Sequence, residues 1–220
     1  MTMRRKEMRW RLLWDDLKYL TWFPVYLLLY LVLERVPVQH YWDTQLPMDA
    51  LIPFCEWFAI PYCLWYPLLI GMGVYLLLRD KPAYRRYMVY LGATFLLSVV
   101  IWVLLPNCQG LRPAVMPRDN LLTQCIAGLY RIDTNTNVFP SVHVVGSVGA
   151  VFGLLDCRRL RRNKAAAFFI TILAVLICAS TVFIKQHAVL DVFGGLALSL
   201  FTAVPVYRRS QVFHLVKKPA

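Results

Sequence analysis

Apolar residues in this chain fall into long blocks, unlike the short alternations of a strand or the one-sided stripes of a surface helix. Six blocks stand out: Tyr19–Val36, Phe58–Leu78, Tyr87–Leu105, Val138–Leu155, Ala165–Ile184 and Ala188–Val206. Each has the roughly 17–25 residues that an α-helix needs to cross a bilayer. The pattern predicts an all-α, polytopic integral membrane protein with six transmembrane helices. A single six-span domain over 19–207 is expected between a basic amphipathic lead-in, 1–18, and a basic tail, 208–220.

Composition agrees. Of the 220 residues, 59% are hydrophobic and 16% charged, with a mean hydropathy of +0.53. A soluble domain has about 45–50% apolar and about 25% charged residues. The lead-in lacks a small-residue cleavage site and does not read as a signal peptide.

Charge placement orients the spans. Of the 24 lysines and arginines, 19 fall in four segments: the lead-in, the loop Arg79–Arg86, the loop Arg158–Lys164 and the tail from Arg208. With six spans these segments share one side, which the positive-inside rule makes cytoplasmic, with both termini. The net charge of +12 is thereby explained by topology and anionic headgroups, and nucleic acid is not an expected partner. Three segments then face outward: Pro37–Trp57, the long loop Pro106–Asn137, and a tight turn at Lys185–His187. Within the long loop, the stretch from Ala114 to Ile132 is a candidate interfacial helix. A plasma-membrane location with an extracytoplasmic site is the expectation. Cys108 and Cys125 both lie in that loop, which leaves a disulfide open, and no cysteine spacing resembles a zinc site.

The outward side collects the residues capable of chemistry. Arg112 precedes Pro113 in the long loop, while Ser141 and His143 open the fourth block after Pro140. A helix amino end carries unpaired N–H groups and suits phosphate. In the last turn, Lys185 and His187 precede Asp191, and the four-residue step from His187 to Asp191 puts both on one helix face. A carboxylate about one turn inside a span is expensive and reads as functional. His187, oriented by Asp191, is a candidate nucleophile toward phosphorus, and His143 a candidate general acid and base. Arg112, Lys185 and Ser141 are candidate phosphate ligands. This chemistry needs neither cofactor nor metal. Each residue also has a plainer reading: Ser141 as a helix cap, Arg112 at lipid headgroups, His187 with Asp191 as a turn cap.

Together these residues resemble the type 2 phosphatidic acid phosphatase superfamily, whose motifs are Lys-x6-Arg-Pro, Pro-Ser-Gly-His and Ser-Arg-x5-His-x3-Asp. The second appears as PSVH (Pro140–His143), the third as STVFIKQHAVLD (Ser180–Asp191), and the first as LPNCQGLRP with Arg112 and Pro113. The likeness runs from about Leu105 to Gly195. Leu105, Val142 and Thr181 stand where the family has lysine, glycine and arginine, so two phosphate-binding cations are missing. Lys185 is the expected substitute for one of them. Their loss with the histidines kept is similar to the inositol phosphorylceramide synthase branch. The resemblance implies catalytic roles for His143, His187 and Asp191 and a phosphorylated lipid as substrate. Three functions stay open: a phosphohydrolase working through phosphohistidine, a lipid phosphotransferase using the same intermediate, and a non-catalytic lipid-binding protein.

Overall fold

The computed structural model describes residues 14–36, 38–208, 210 and 212. Residues 1–13 of the lead-in and 209, 211 and 213–220 of the tail lie outside the described residues. The helices are α1 (Trp22–Leu33), α2 (Ala59–Cys63), α3 (Trp65–Arg79), α4 (Lys81–Leu104), α5 (Leu121–Ile132), α6 (Val142–Asp156), α7 (Arg158–Arg162), α8 (Lys164–Phe183) and α9 (Val189–Tyr207). Five helical stretches among the described residues are long and apolar enough to cross a membrane: Trp14–Leu33, Glu56–Arg79, Lys81–Leu104, Lys164–Phe183 and Val189–Tyr207. Their outer faces carry exposed apolar side chains such as Leu28, Ile70, Leu78, Phe169 and Phe201. A surface of that kind marks an integral membrane protein.

The fourth predicted block is shorter than its apolar run. Its helix, α6, has 15 residues, about 22 Å at 1.5 Å per residue. Packing explains the length. α6 lies against α3, α4, α8 and α9, so much of its surface meets protein rather than lipid, and both ends are tied to neighbours. Three glycines let those neighbours close in. A Cβ would stand 2.7 Å from the Trp65 indole nitrogen at Gly146, 2.6 Å from the Tyr90 ring at Gly149 and 3.2 Å from Leu76 at Gly153. Small residues along a helix face permit this approach where water cannot drive association.

Polar caps set the helix starts. Asp80 accepts from the Ala83 amide (3.1 Å) at the start of α4, Asn163 from Ala166 (3.1 Å) at the start of α8, and Asn120 from Thr123 (3.0 Å) at the start of α5. The basic ends gather at one end of the bundle. Asp16 meets Lys81 (2.6 Å) and Arg85 (2.7 Å), Arg86 meets Asp156 (2.7 Å), and the ring of Tyr207 stacks on Phe152.

At the opposite end the loops are knitted together. A short parallel pair, β1 (Trp42–Asp43) with β2 (Asn107–Cys108), joins the loop after α1 to the loop after α4. The Asn107 side chain clamps the backbone of Phe139, accepting from its N–H (2.7 Å) and donating to its carbonyl (3.1 Å). Gln109 donates to the carbonyls of Lys185 (3.0 Å) and Gln186 (3.2 Å). Of the stretch expected as an interfacial helix, only Leu121–Ile132 is helical, because Asn120 supplies the cap that starts it. The six cysteines are free thiols.

Candidate active site

The turn between α8 and α9 places His187. Lys185 adopts a left-handed backbone (φ 56°), and the amides of Gln186 (2.9 Å) and His187 (3.0 Å) both donate to the Thr181 carbonyl. The chain reverses there and delivers His187 to the mouth of α9. Asp191, in the first turn of α9, is fully buried. Its Oδ2 accepts from the Ala188 amide at 2.8 Å and lies 3.4 Å from His187 Nδ1. The carboxylate therefore both caps α9 and faces the imidazole, which leaves Nε2 as the outward nitrogen.

His143 comes from α6. Ser141 is its N-cap, with Oγ accepting from the Val144 amide at 3.5 Å, and the Ser141 N–H donates to the Asp191 carbonyl at 3.1 Å. This main-chain bond pins the amino ends of α6 and α9 together. Two glycines permit it: a Cβ at Gly195 would stand 2.9 Å from the Ser141 oxygen, and one at Gly194 would stand 2.3 Å from the Phe139 ring. The imidazole of His143 stacks on Tyr62 (centroids 4.3 Å), packs on Trp65 (4.5 Å) and meets His187 edge to face at 5.8 Å. Neither nitrogen of His143 has a hydrogen-bond partner among the described residues. Buried polar atoms are rarely left so.

Four of the residues singled out from sequence, His143, His187, Asp191 and Ser141, thus converge. The cationic ends of the other two go elsewhere. Arg112 donates to the carbonyls of Tyr130 (3.1 Å), Asp133 (2.7 Å) and Thr134 (2.6 Å), and lies over the Tyr130 ring at 4.4 Å. It closes the carboxyl end of α5, where free carbonyls attract a cation. Lys185 donates to the carbonyls of Asp49 (2.9 Å) and Ile52 (2.5 Å). Burial pushes the pKa of both groups down. Neither residue lines the cavity that holds the histidines.

That cavity, about 370 Å³, runs between α1, α3 and α4 beneath the loops at that end of the bundle. Its loop end holds His143, His187, Gln186 and Asp133; further along α1 and α3 it is lined by Phe23, Leu27, Leu69 and Ile70. Asp133 is a site residue that motif reading missed. Its Oδ1 accepts from Tyr30 (3.0 Å), and its Oδ2 from Tyr62 (2.9 Å) and Gln186 (2.9 Å). It thereby supports the ring under His143 and the residue next to His187. The only sequence signal was a carboxylate close to the apolar start of α6. Nearby, Glu34 accepts from Thr134 (2.5 Å) and Asn137 (3.4 Å), tying the end of α1 to the same loop.

The bundle thus brings two histidines and a carboxylate together at one end of an integral membrane protein. A family model described as the PAP2 superfamily matches residues 83–214. The chain belongs to that superfamily, whose members generally act as phosphatases or phosphotransferases on phosphate esters. No curated protein and no solved structure matches the chain.

Proposed function

We propose that this protein cleaves a lipid phosphate ester at the outer membrane interface through a phosphohistidine on His187. The observation that carries this reading is the edge-to-face pair of His143 and His187, 5.8 Å between centroids, with Asp191 3.4 Å behind His187. Nε2 of His187 attacks phosphorus while His143 protonates the departing oxygen, and His143 then takes a proton from the acceptor. Asp191 holds the tautomer and stabilises positive charge on the ring. The amino end of α6 lies beside His143 and suits a phosphoryl oxygen. A lipid substrate is supported by the grading of the cavity from polar outer end to apolar depth, with Phe23, Leu27 and Ile70 exposed at its side.

With water as acceptor the protein is a phosphohydrolase acting on a lipid monoester or diphosphate. A lipid alcohol as acceptor makes it a phosphotransferase. The second reading is favoured by the neutral residues at Leu105 and Thr181 and by the engagement of Arg112 and Lys185 on loop carbonyls. The experiment is release of phosphate and of diglyceride from lipid phosphates by purified protein in EDTA, beside His187→Ala. Release that survives EDTA and vanishes in the variant supports the reading. Release unaffected by the variant overturns it.

A further inference from the structure

The turn that carries His187 is bonded from outside along its backbone. α8 ends at Phe183 and α9 begins at Val189, and helix ends leave carbonyls and amides in need of partners. The Phe183 carbonyl accepts from the Cys55 amide (3.0 Å) and the Ile184 carbonyl from the Tyr130 hydroxyl (2.5 Å). The next two carbonyls, of Lys185 and Gln186, share the side-chain amide of Gln109 at 3.0 and 3.2 Å. Beyond the histidine, the Val189 amide donates to Asp49 Oδ1 at 2.8 Å. His187 is thus bracketed by Gln109 on one side and Asp49 on the other.

Both brackets are themselves held. Asp49 and Gln109 are buried, and the other oxygen or end of each side chain is engaged: Asp49 Oδ2 accepts from the Leu46 amide (2.7 Å) and Gln109 Oε1 from the Leu111 amide (2.5 Å). The Gln109 main chain is tied to Asn135, donating to its carbonyl (3.0 Å) and accepting from its side chain (2.6 Å). Gln109 directly follows β2, and the β1–β2 pair joins its loop to the loop that holds Asp49, so the two brackets share one frame. The turn needs such a frame. Lys185 adopts a left-handed backbone (φ 56°), costly for a residue with a Cβ, and a turn freed of its partners would relax. Asp49 also relieves Asp191: with the Val189 amide served by Asp49, Asp191 Oδ2 is left to the Ala188 amide and His187 Nδ1.

We propose that Asp49 and Gln109 are positioning residues for His187, acting through the backbone of its turn. The proposal rests on the catalytic role given to His187 above. Neither residue belongs to the three motifs, and Asp49 precedes the matched stretch 83–214, so the loop after α1 takes part in catalysis without touching substrate. Asp49→Ala strands two amides and Gln109→Leu two carbonyls. Asp49→Asn keeps one oxygen for one amide and turns an N–H₂ on the other.

The test uses the full-length protein in detergent with phosphatidic acid as the probe. Turnover, melting temperature and labelling by diethyl pyrocarbonate, mapped by mass spectrometry, are read for wild type and the three variants. Asp80→Ala, which removes the cap of α4 at the opposite end of the bundle, controls for lost stability. In Asp49→Ala and Gln109→Leu, kcat should fall about a hundredfold with KM within about threefold of wild type, the cost of a misplaced catalytic group. Asp49→Asn should lose roughly tenfold on the same ground. Labelling of His187 should rise at least about threefold as the turn opens locally, while the exposed His40 keeps its rate. Asp80→Ala should melt lower yet keep wild-type kcat per folded molecule and wild-type labelling of His187. Losses in the bracket variants no larger than in Asp80→Ala, or wild-type labelling of His187, overturn the proposal. A change confined to KM also overturns it, since that marks contact with substrate. Asp49→Asn and Gln109→Leu keep the question decidable if Asp49→Ala does not fold. Absence of turnover in wild type counts against the hydrolase reading, and the labelling then decides the bracket by itself.

Discussion

The backbone N–H of Ser141 donates to the backbone carbonyl of Asp191 at 3.1 Å. Two helix starts 50 residues apart in sequence are joined by main chain alone, and each carries a histidine within four residues of the joint. The histidine pair is therefore set by backbone contact, with side chains refining it.

That joint depends on Gly195. Its absent Cβ would stand 2.9 Å from the Ser141 oxygen and 2.9 Å from the Val144 Cβ, and neither neighbour is a flexible side-chain end. Gly195→Ala is expected to cost about 1–3 kcal/mol in stability and to lower turnover at least tenfold by parting the histidines. Thermal unfolding in detergent and turnover, measured on the same preparation, check this. Wild-type values in both would contradict the role given to the joint.

Asp191 acts twice, as helix cap and as partner of His187, and two variants separate the roles. Asp191→Asn keeps an oxygen for the Ala188 amide but removes the charge. Turnover should fall about a hundredfold or more, with little change in melting temperature. Asp191→Ala removes the cap as well and should cost a further 0.5–2 kcal/mol or so. Equal turnover in Asp191→Asn and wild type would leave the residue a structural cap only.

Lys185 should behave as a brace. Its ammonium donates to Asp49 and Ile52, carbonyls that Lys185→Met would strand at about 1–3 kcal/mol. Turnover per folded molecule should change less than tenfold. A large rise in KM with unchanged stability would restore Lys185 to the phosphate.

Tyr62 offers a ring to His143 and a hydroxyl to Asp133. Tyr62→Phe keeps the stack and should reduce kcat only a few-fold. Tyr62→Ala removes the platform and should reduce it by roughly a hundredfold, because a misplaced catalytic group costs about that much. Similar losses in both variants would point to the hydroxyl as the important part.

Much of this was legible in the sequence. Apolar blocks announce helices whatever their neighbours, and five of the six are long enough to span. The spacing of His187 and Asp191 is a local helix property, and Pro140 with Ser141 marks a helix start. The destinations of long side chains were not legible. Arg112 and Lys185 are satisfied by carbonyls at Tyr130–Thr134 and Asp49–Ile52, positions that only the folded loops bring near. Asp133 escaped for the same reason, since its donors come from Tyr30, Tyr62 and Gln186. The length of α6 reflects burial among four helices, which no window of its own residues records.

The most direct measurement is to trap the covalent intermediate. Protein mixed with lipid labelled at phosphorus is quenched in alkali within one turnover and mapped by mass spectrometry. A labelled adduct on His187 is expected, stable to alkali, labile to acid and absent in His187→Ala. Turnover without an adduct, or with one on any other residue, would contradict the role assigned to His187.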